Sequence, residues 1–165
     1  MTVASRTYSP IVRHGRVAVA TGYCALWGVH THPDGSTVDL PIMTARVTHP
    51  YRVFVRHDPA RFLASSPFVD IWPDPTGLCV EATLPDTPLG HYALAGIERG
   101  VFRGWSLGDQ QLSQTNGTVR SLIAGEVSLA DRPRKRTVLT LIWRPLTEWI
   151  AEKPTTRRRF ANEPS

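Results

Sequence analysis

The apolar positions of this chain gather in short runs that alternate with polar ones, and turn residues break the runs at close intervals. Residues 16–27 (RVAVATGYCALW) are rich in strand formers and partly alternate. His32-Pro33-Asp34-Gly35 is a turn signal, and residues 37–42 follow as a short strand. Residues 51–55 (YRVFV) are β-branched and aromatic and run straight into Arg56-His57-Asp58-Pro59. A proline at 59 is expected to stop that strand and leave His57 at its end. Residues 68–72 and 78–84 predict a hairpin, joined by Pro73-Asp74-Pro75-Thr76-Gly77.

One segment breaks the strand pattern. Asp86 or Thr87 can cap a helix with Pro88 at its first position, and Gly100 can end it, although Gly96 is a weak helix former inside it. Residues 102–107 return to strand character, Asn116-Gly117 marks a turn, and residues 118–129 and 137–143 predict two later strands. A short helix over 146–152 follows Pro145. The expected architecture is mainly β, an antiparallel β-barrel with one or two helices. Residues 1–15 are expected to form a flexible N-terminal segment, 16–152 a single domain, and 153–165 a disordered basic tail.

A chain of 165 residues has room for one core. Its 41% hydrophobic and 20% charged residues are in the range of globular domains. No apolar run approaches the ~20 residues of a membrane span. The first ten residues carry Arg6 but no apolar stretch, so they do not read as a signal peptide, and a cytosolic location is expected. Cys24 and Cys79 are then expected to be reduced thiols buried in strands. The net charge of +5 raises the question of nucleic-acid binding. That charge is concentrated at Arg132, Arg134, Lys135 and Arg136 and again at Lys153, Arg157, Arg158 and Arg159. The first cluster has no interleaved aromatic residue to stack on bases, so direct nucleic-acid recognition is disfavoured. A metal site built from His30, His32 and Cys24 has no supporting helix motif, and no cofactor is expected.

The chemistry centres on Gly104-Trp105-Ser106-Leu107-Gly108, which matches G-x-S-x-G. In α/β-hydrolases that pattern sits on a strand-to-helix elbow, and the histidine follows the serine. Here residues 109–117 are polar and turn-like, and all six histidines (His14, His30, His32, His49, His57 and His91) precede Ser106. Any pair must therefore run histidine first. A serine hydroxyl is a poor nucleophile until a base takes its proton, and a third group must hold the imidazole. His57, at the end of an apolar strand beside a proline, is the best-placed base; a histidine bonded to a neighbouring carbonyl is its other reading. His30 and His32 fall in a turn-rich loop, His14 is near the N-terminus, His49 precedes Pro50, and His91 lies in the predicted helix.

The order of phrases resembles that of the caudovirus prohead (capsid maturation) proteases, which share the herpesvirus assemblin fold. Five phrases carry the resemblance: Gly22-Tyr23-Cys24-Ala25-Leu26-Trp27-Gly28, Val55-Arg56-His57-Asp58-Pro59, Gly77-Leu78-Cys79-Val80-Glu81, the G-x-S-x-G phrase, and Glu126-Val127-Ser128-Leu129. The resemblance implies an assemblin-type barrel and a serine endopeptidase, with Ser106 as nucleophile, His57 as base and Glu126 in the third position. It also implies an oxyanion-hole arginine shortly after Glu126, for which Arg132 and Arg134 are candidates, with Arg136 in the same region. The implied substrate is the scaffolding segment of a phage major capsid protein, together with the chain itself. The implied setting is the assembling procapsid in the host cytoplasm. Self-association and contact with the portal protein are implied partners, and a membrane is not.

Two departures stand out: Asp109 replaces the usual apolar residue after the serine phrase, and residues 131–136 are unusually basic. Read without the resemblance, Glu126 could be a surface acid on an edge strand. The competing reading of the whole chain is a catalytically inactive protease-fold component of the capsid or scaffold. The presence of all three candidate triad residues argues against it.

Overall fold

The computed structural model describes residues 9–31, 34–40, 45–65, 68–108, 111–115, 118–132 and 139–151. In chain order its strands are β1 (Val12–Arg13), β2 (Arg16–Leu26), β3 (Gly28–Thr31), β4 (Thr37–Leu40), β5 (Ala45–Val55), β6 (Asp58–Ser65), β7 (Val69–Pro73) and β8 (Gly77–Thr83). Helix α1 (Pro88–Glu98) follows. Then come β9 (Gly104–Gly108), β10 (Gln111–Thr115), β11 (Thr118–Ala130), β12 (Leu139–Pro145) and helix α2 (Leu146–Ala151). The protein is mainly β with two helices, as the alternation predicts.

The strands form two open sheets. One has the order β1-β2-β8-β7, with β12 also paired to β2. The other has the order β3-β4-β11-β5-β6, with β9 and β10 also paired to β11. The expected closed barrel is not seen among the described residues: side chains, not a ladder, join the sheets. Closure depends on pairing between edges far apart in sequence, which strand count and turn spacing do not encode. The pairing is also not wholly antiparallel, since β11 runs parallel to β5 and touches β4 in parallel. The chain between β5 and β11 passes through the first sheet and α1, which gives the long return that a parallel pair requires.

Both sheets and α1 share one core. Ala18, Ala20, Val69, Ile71, Val80 and Ala82 come from the first sheet, Val53, Val55, Trp105, Val127 and Leu129 from the second, and Ala93 and Leu94 from α1. The opposite face of the first sheet carries Glu81, which pairs with Arg144 at 2.9 Å across β2. It also carries Thr83, whose hydroxyl accepts the Trp149 indole N–H of α2 at 2.8 Å.

α1 starts as its sequence predicts. Thr87 is the N-cap, its hydroxyl accepting from the Gly90 N–H at 3.0 Å, and Pro88 is the first helical residue. Gly96, the weak point of the helix in the sequence, has a packing reason. A β-carbon there would strike the ring of Phe102 as the chain turns back after Gly100.

β1, β3, β6 and β10 have no counterpart in the sequence reading. Residues 9–13, expected to be flexible, pack into the first sheet: Ile11 is buried, its N–H bonded to the Leu84 carbonyl at 2.9 Å. β10 occupies part of the stretch read as polar and turn-like. Pro59 does not end β5. The chain instead reverses at Arg56 and His57, and Pro59 is the second residue of β6. β6 is the edge strand of its sheet, where a missing N–H need not cost a ladder bond. The Asn116-Gly117 turn and the tail from Lys153 lie outside the described residues. No helix of the described chain is long and apolar enough to cross a membrane.

Candidate active site

His57 is held by a strained turn. β5 and β6 are joined by two residues, with Val55 opposite Asp58. Both joining residues have positive φ, 53° at Arg56 and 56° at His57. Two successive left-handed residues make the type I′ hairpin turn, for which Asn-Gly is the favoured pair. Arginine and histidine there each cost about 1–2 kcal/mol. Neighbouring groups offset that cost. The Arg56 N–H donates to the Leu129 carbonyl at 3.0 Å, and the His57 N–H donates to Ser128 Oγ at 3.0 Å. Ser128 is fully buried, so its hydroxyl sits on a fixed strand and pins the turn over the second sheet.

Ser106 reaches the same place from the other side. β9 lies antiparallel on β11, with Ser106 opposite Ser128 and Gly108 opposite Glu126. The alternation of β9 sends Trp105 into the core and leaves Ser106 on the outer face with Ser128 and Glu126. His57 Nε2 stands 2.9 Å from Ser106 Oγ, although the two residues are 49 apart in sequence. With the ring proton on Nδ1, the serine hydroxyl donates to Nε2, the arrangement in which histidine can take the proton of an attacking hydroxyl.

Glu126 lies on the Nδ1 side of the ring. A β-carbon on Gly108 would stand 2.8 Å from Glu126 Oε1 and 3.0 Å from His57 Nδ1. The carboxylate and the ring nitrogen therefore close over the same glycine. A carboxylate beside Nδ1 favours the required tautomer and stabilises the imidazolium formed during proton transfer. Gly108 and Ser128 both appear in the sequence phrases, but their work at this site does not. Gly108 makes room for the histidine and the acid. Finding that needs the register of β9 on β11.

The outer face continues from Ser128 to Phe54 on β5 and Phe62 on β6, which pack edge to face at 5.7 Å. Arg132 is exposed at the bend after β11, two residues beyond Ala130, which pairs with Gly104. Arg134, Arg136 and His32 lie outside the described residues. His14 sits in the turn between β1 and β2, and His91 on α1 pairs with Asp86 at 2.6 Å. Among the described residues no three histidine, cysteine, aspartate or glutamate side chains gather as a metal site would require. Cys24 donates its thiol to the Leu78 carbonyl at 3.3 Å.

A second polar cluster ties the β7–β8 loop to β2. Asp74 Oδ2 accepts from the Tyr23 hydroxyl at 2.7 Å and the Cys79 thiol at 3.1 Å, while Oδ1 accepts the N–H groups of Thr76 and Gly77. Burial alone would raise the Asp74 pKa, but these bonds, Tyr23 foremost, outweigh it and hold the carboxyl below its ordinary range. The bond to Asp74, helped by burial, pushes Tyr23 up to about 12. Burial, helped by the same carboxylate, pushes the Cys79 thiol up to about 12. Both cysteines are buried thiols, as the sequence predicts. Compared with models of protein families, with curated proteins and with solved structures, the chain matches none.

Proposed function

We propose that this protein is a serine endopeptidase using Ser106 as nucleophile, His57 as general base and Glu126 as the acid that orients His57. The observation that carries the reading is the 2.9 Å approach of His57 Nε2 to Ser106 Oγ, with the Glu126 carboxylate on the Nδ1 side of the ring. Serine hydroxyls and imidazoles often meet in proteins. A strained turn that brings one to the other, beside an acid given room by a glycine, is a costlier arrangement and points to chemistry.

In the proposed reaction, Ser106 Oγ attacks the scissile carbonyl while His57 Nε2 takes its proton. The imidazolium then returns that proton to the leaving amine, and water, deprotonated by the same ring, hydrolyses the acyl-enzyme. The developing oxyanion needs a donor, for which we propose the segment carrying Arg132 and Arg134.

The substrate belongs to the same proposal. On the strength of the five sequence phrases, the domain is read as a member of the prohead-protease group with an assemblin-type fold. It would cleave the scaffolding segment of a phage major capsid protein, and itself, within the procapsid. The test is a fluorophosphonate probe followed by co-expression with the cognate major capsid precursor, scaffolding segment included. The wild type should be labelled at Ser106 and should shorten the precursor, and Ser106→Ala should do neither. A folded wild-type protein that takes up no probe and leaves the precursor intact would end the proposal.

A further inference from the structure

We propose that Arg56 is a positioning residue for His57, holding the turn in its reactive shape by clamping it to α1 and to the end of β11. The inference rests on the protease reading, and it deepens it. Arg56 precedes the candidate base and has positive φ itself, where a long unbranched side chain gains nothing from the backbone. Its guanidinium is nevertheless held on three sides. Nη1 donates to the Tyr92 hydroxyl of α1 at 3.4 Å, and Nε pairs with Asp131 at 3.5 Å. The guanidinium carbon lies 5.3 Å from the centre of the Phe102 ring.

The Phe102 ring is itself fixed. It meets Tyr92 edge to face at 5.9 Å, and it lies where a side chain on Gly96 would have to be. Tyr92 of α1, Phe102 in the segment beyond it and Asp131 at the bend after β11 thus converge on the residue beside His57. Each contact is weak alone, because the arginine is partly exposed. Together they restrict the backbone of the turn, whose rotation would carry the imidazole away from Ser106. Lysine could keep the charge but not the flat stacking on the ring.

Four proteins test this: the wild type, Arg56→Asn, Arg56→Lys, and the double variant Tyr92→Phe/Asp131→Asn. Asparagine tolerates positive φ, so Arg56→Asn keeps the turn and removes the clamp. The first readout is hydrogen exchange of the His57 N–H, which needs no catalysis. The second is the rate of Ser106 labelling by a fluorophosphonate as a function of pH. Arg56→Asn should speed His57 exchange about tenfold without changing exchange in β2. It should lower the labelling plateau about tenfold while the pH midpoint stays in place. Arg56→Lys should recover part of both, and the double variant should follow Arg56→Asn.

Wild-type exchange and labelling in Arg56→Asn would overturn the proposal. So would a moved pH midpoint with an unchanged plateau, which would make Arg56 a charge acting on the base and not a clamp. A wild type that is never labelled would instead defeat the protease reading, and the exchange experiment would still decide whether the clamp exists.

Discussion

Gly108 is the residue whose smallness the candidate triad depends on most directly. Its missing β-carbon leaves space that Glu126 Oε1 and His57 Nδ1 occupy, 2.8 and 3.0 Å from where that carbon would stand. The end of the glutamate is the most mobile obstacle, so Gly108→Ala should displace the carboxylate more than the backbone. We expect thermal stability close to wild type and a fall in Ser106 labelling on the order of 10²-fold, since a misplacement of about 1 Å in a catalytic constellation is that costly. Labelling at the wild-type rate would show that Glu126 contributes nothing to the histidine. Ser128→Ala tests the other support. It leaves the His57 N–H without its buried acceptor, at a cost of about 1–2 kcal/mol by chemical denaturation, with labelling slowed as well. Ser106, His57 and Glu126 could be picked out of the sequence because their residue types state their chemistry and the order of phrases narrows the choice. Gly108 and Ser128 could not, because their roles arise from facing Glu126 and Ser106 across a ladder.

Among the elements, strands with a continuous apolar or alternating run were legible, the edge strand β7 included, and β1, β3, β6 and β10 were not. β2, β8 and the second half of β11 alternate or run apolar because they bury side chains in the shared core. β6 reads as DPARFLAS, with a proline and mostly exposed residues in its first half, so nothing in its pattern says strand. It pairs because a two-residue turn delivers it to β5, and that turn carries Arg-His in place of Asn-Gly. A local rule violated at the site is a signal of function that propensity reasoning discards as noise. α1 was legible because its signals are local. Thr87→Ala should remove the N-cap bond to Gly90 and cost about 1 kcal/mol, lowering the melting temperature by roughly 2–4 °C. Because α1 also supplies Tyr92 to Arg56, the same variant should slow Ser106 labelling measurably at a temperature where it remains folded. An unchanged melting curve would mean that the cap bond adds nothing to the domain.

At the scale of the whole molecule, the Tyr23-Asp74-Cys79 cluster gives folding a pH window. Tyr23 and Cys79 titrate near 10.0 and 9.0 when free, and both are pushed to about 12 in the folded protein. A group whose folded pKa is raised stabilises the fold fully below its free pKa and loses that contribution as pH rises through the folded value. The alkaline loss should therefore begin at about pH 9 and run to about pH 12. Asp74 is shifted the other way. Its contribution is complete above the ordinary 3.8 and disappears as pH falls through its lowered value. Tyr23→Phe keeps the ring but removes the hydroxyl that bonds Asp74, so it should be less stable than wild type near neutrality. The gap should shrink above about pH 10, where Tyr23 of the unfolded wild type ionises while the folded protein keeps the hydroxyl protonated to about 12. Thermal melts followed by circular dichroism from about pH 3 to pH 11 would show it. A gap that stays constant through the alkaline range would mean that the tyrosine does not titrate with unfolding. Cys79, with its thiol held protonated to about 12, should also resist alkylation at pH 8 until the protein unfolds. Rapid alkylation of the folded chain would place the thiol outside the bond to Asp74 and remove one leg of the alkaline argument.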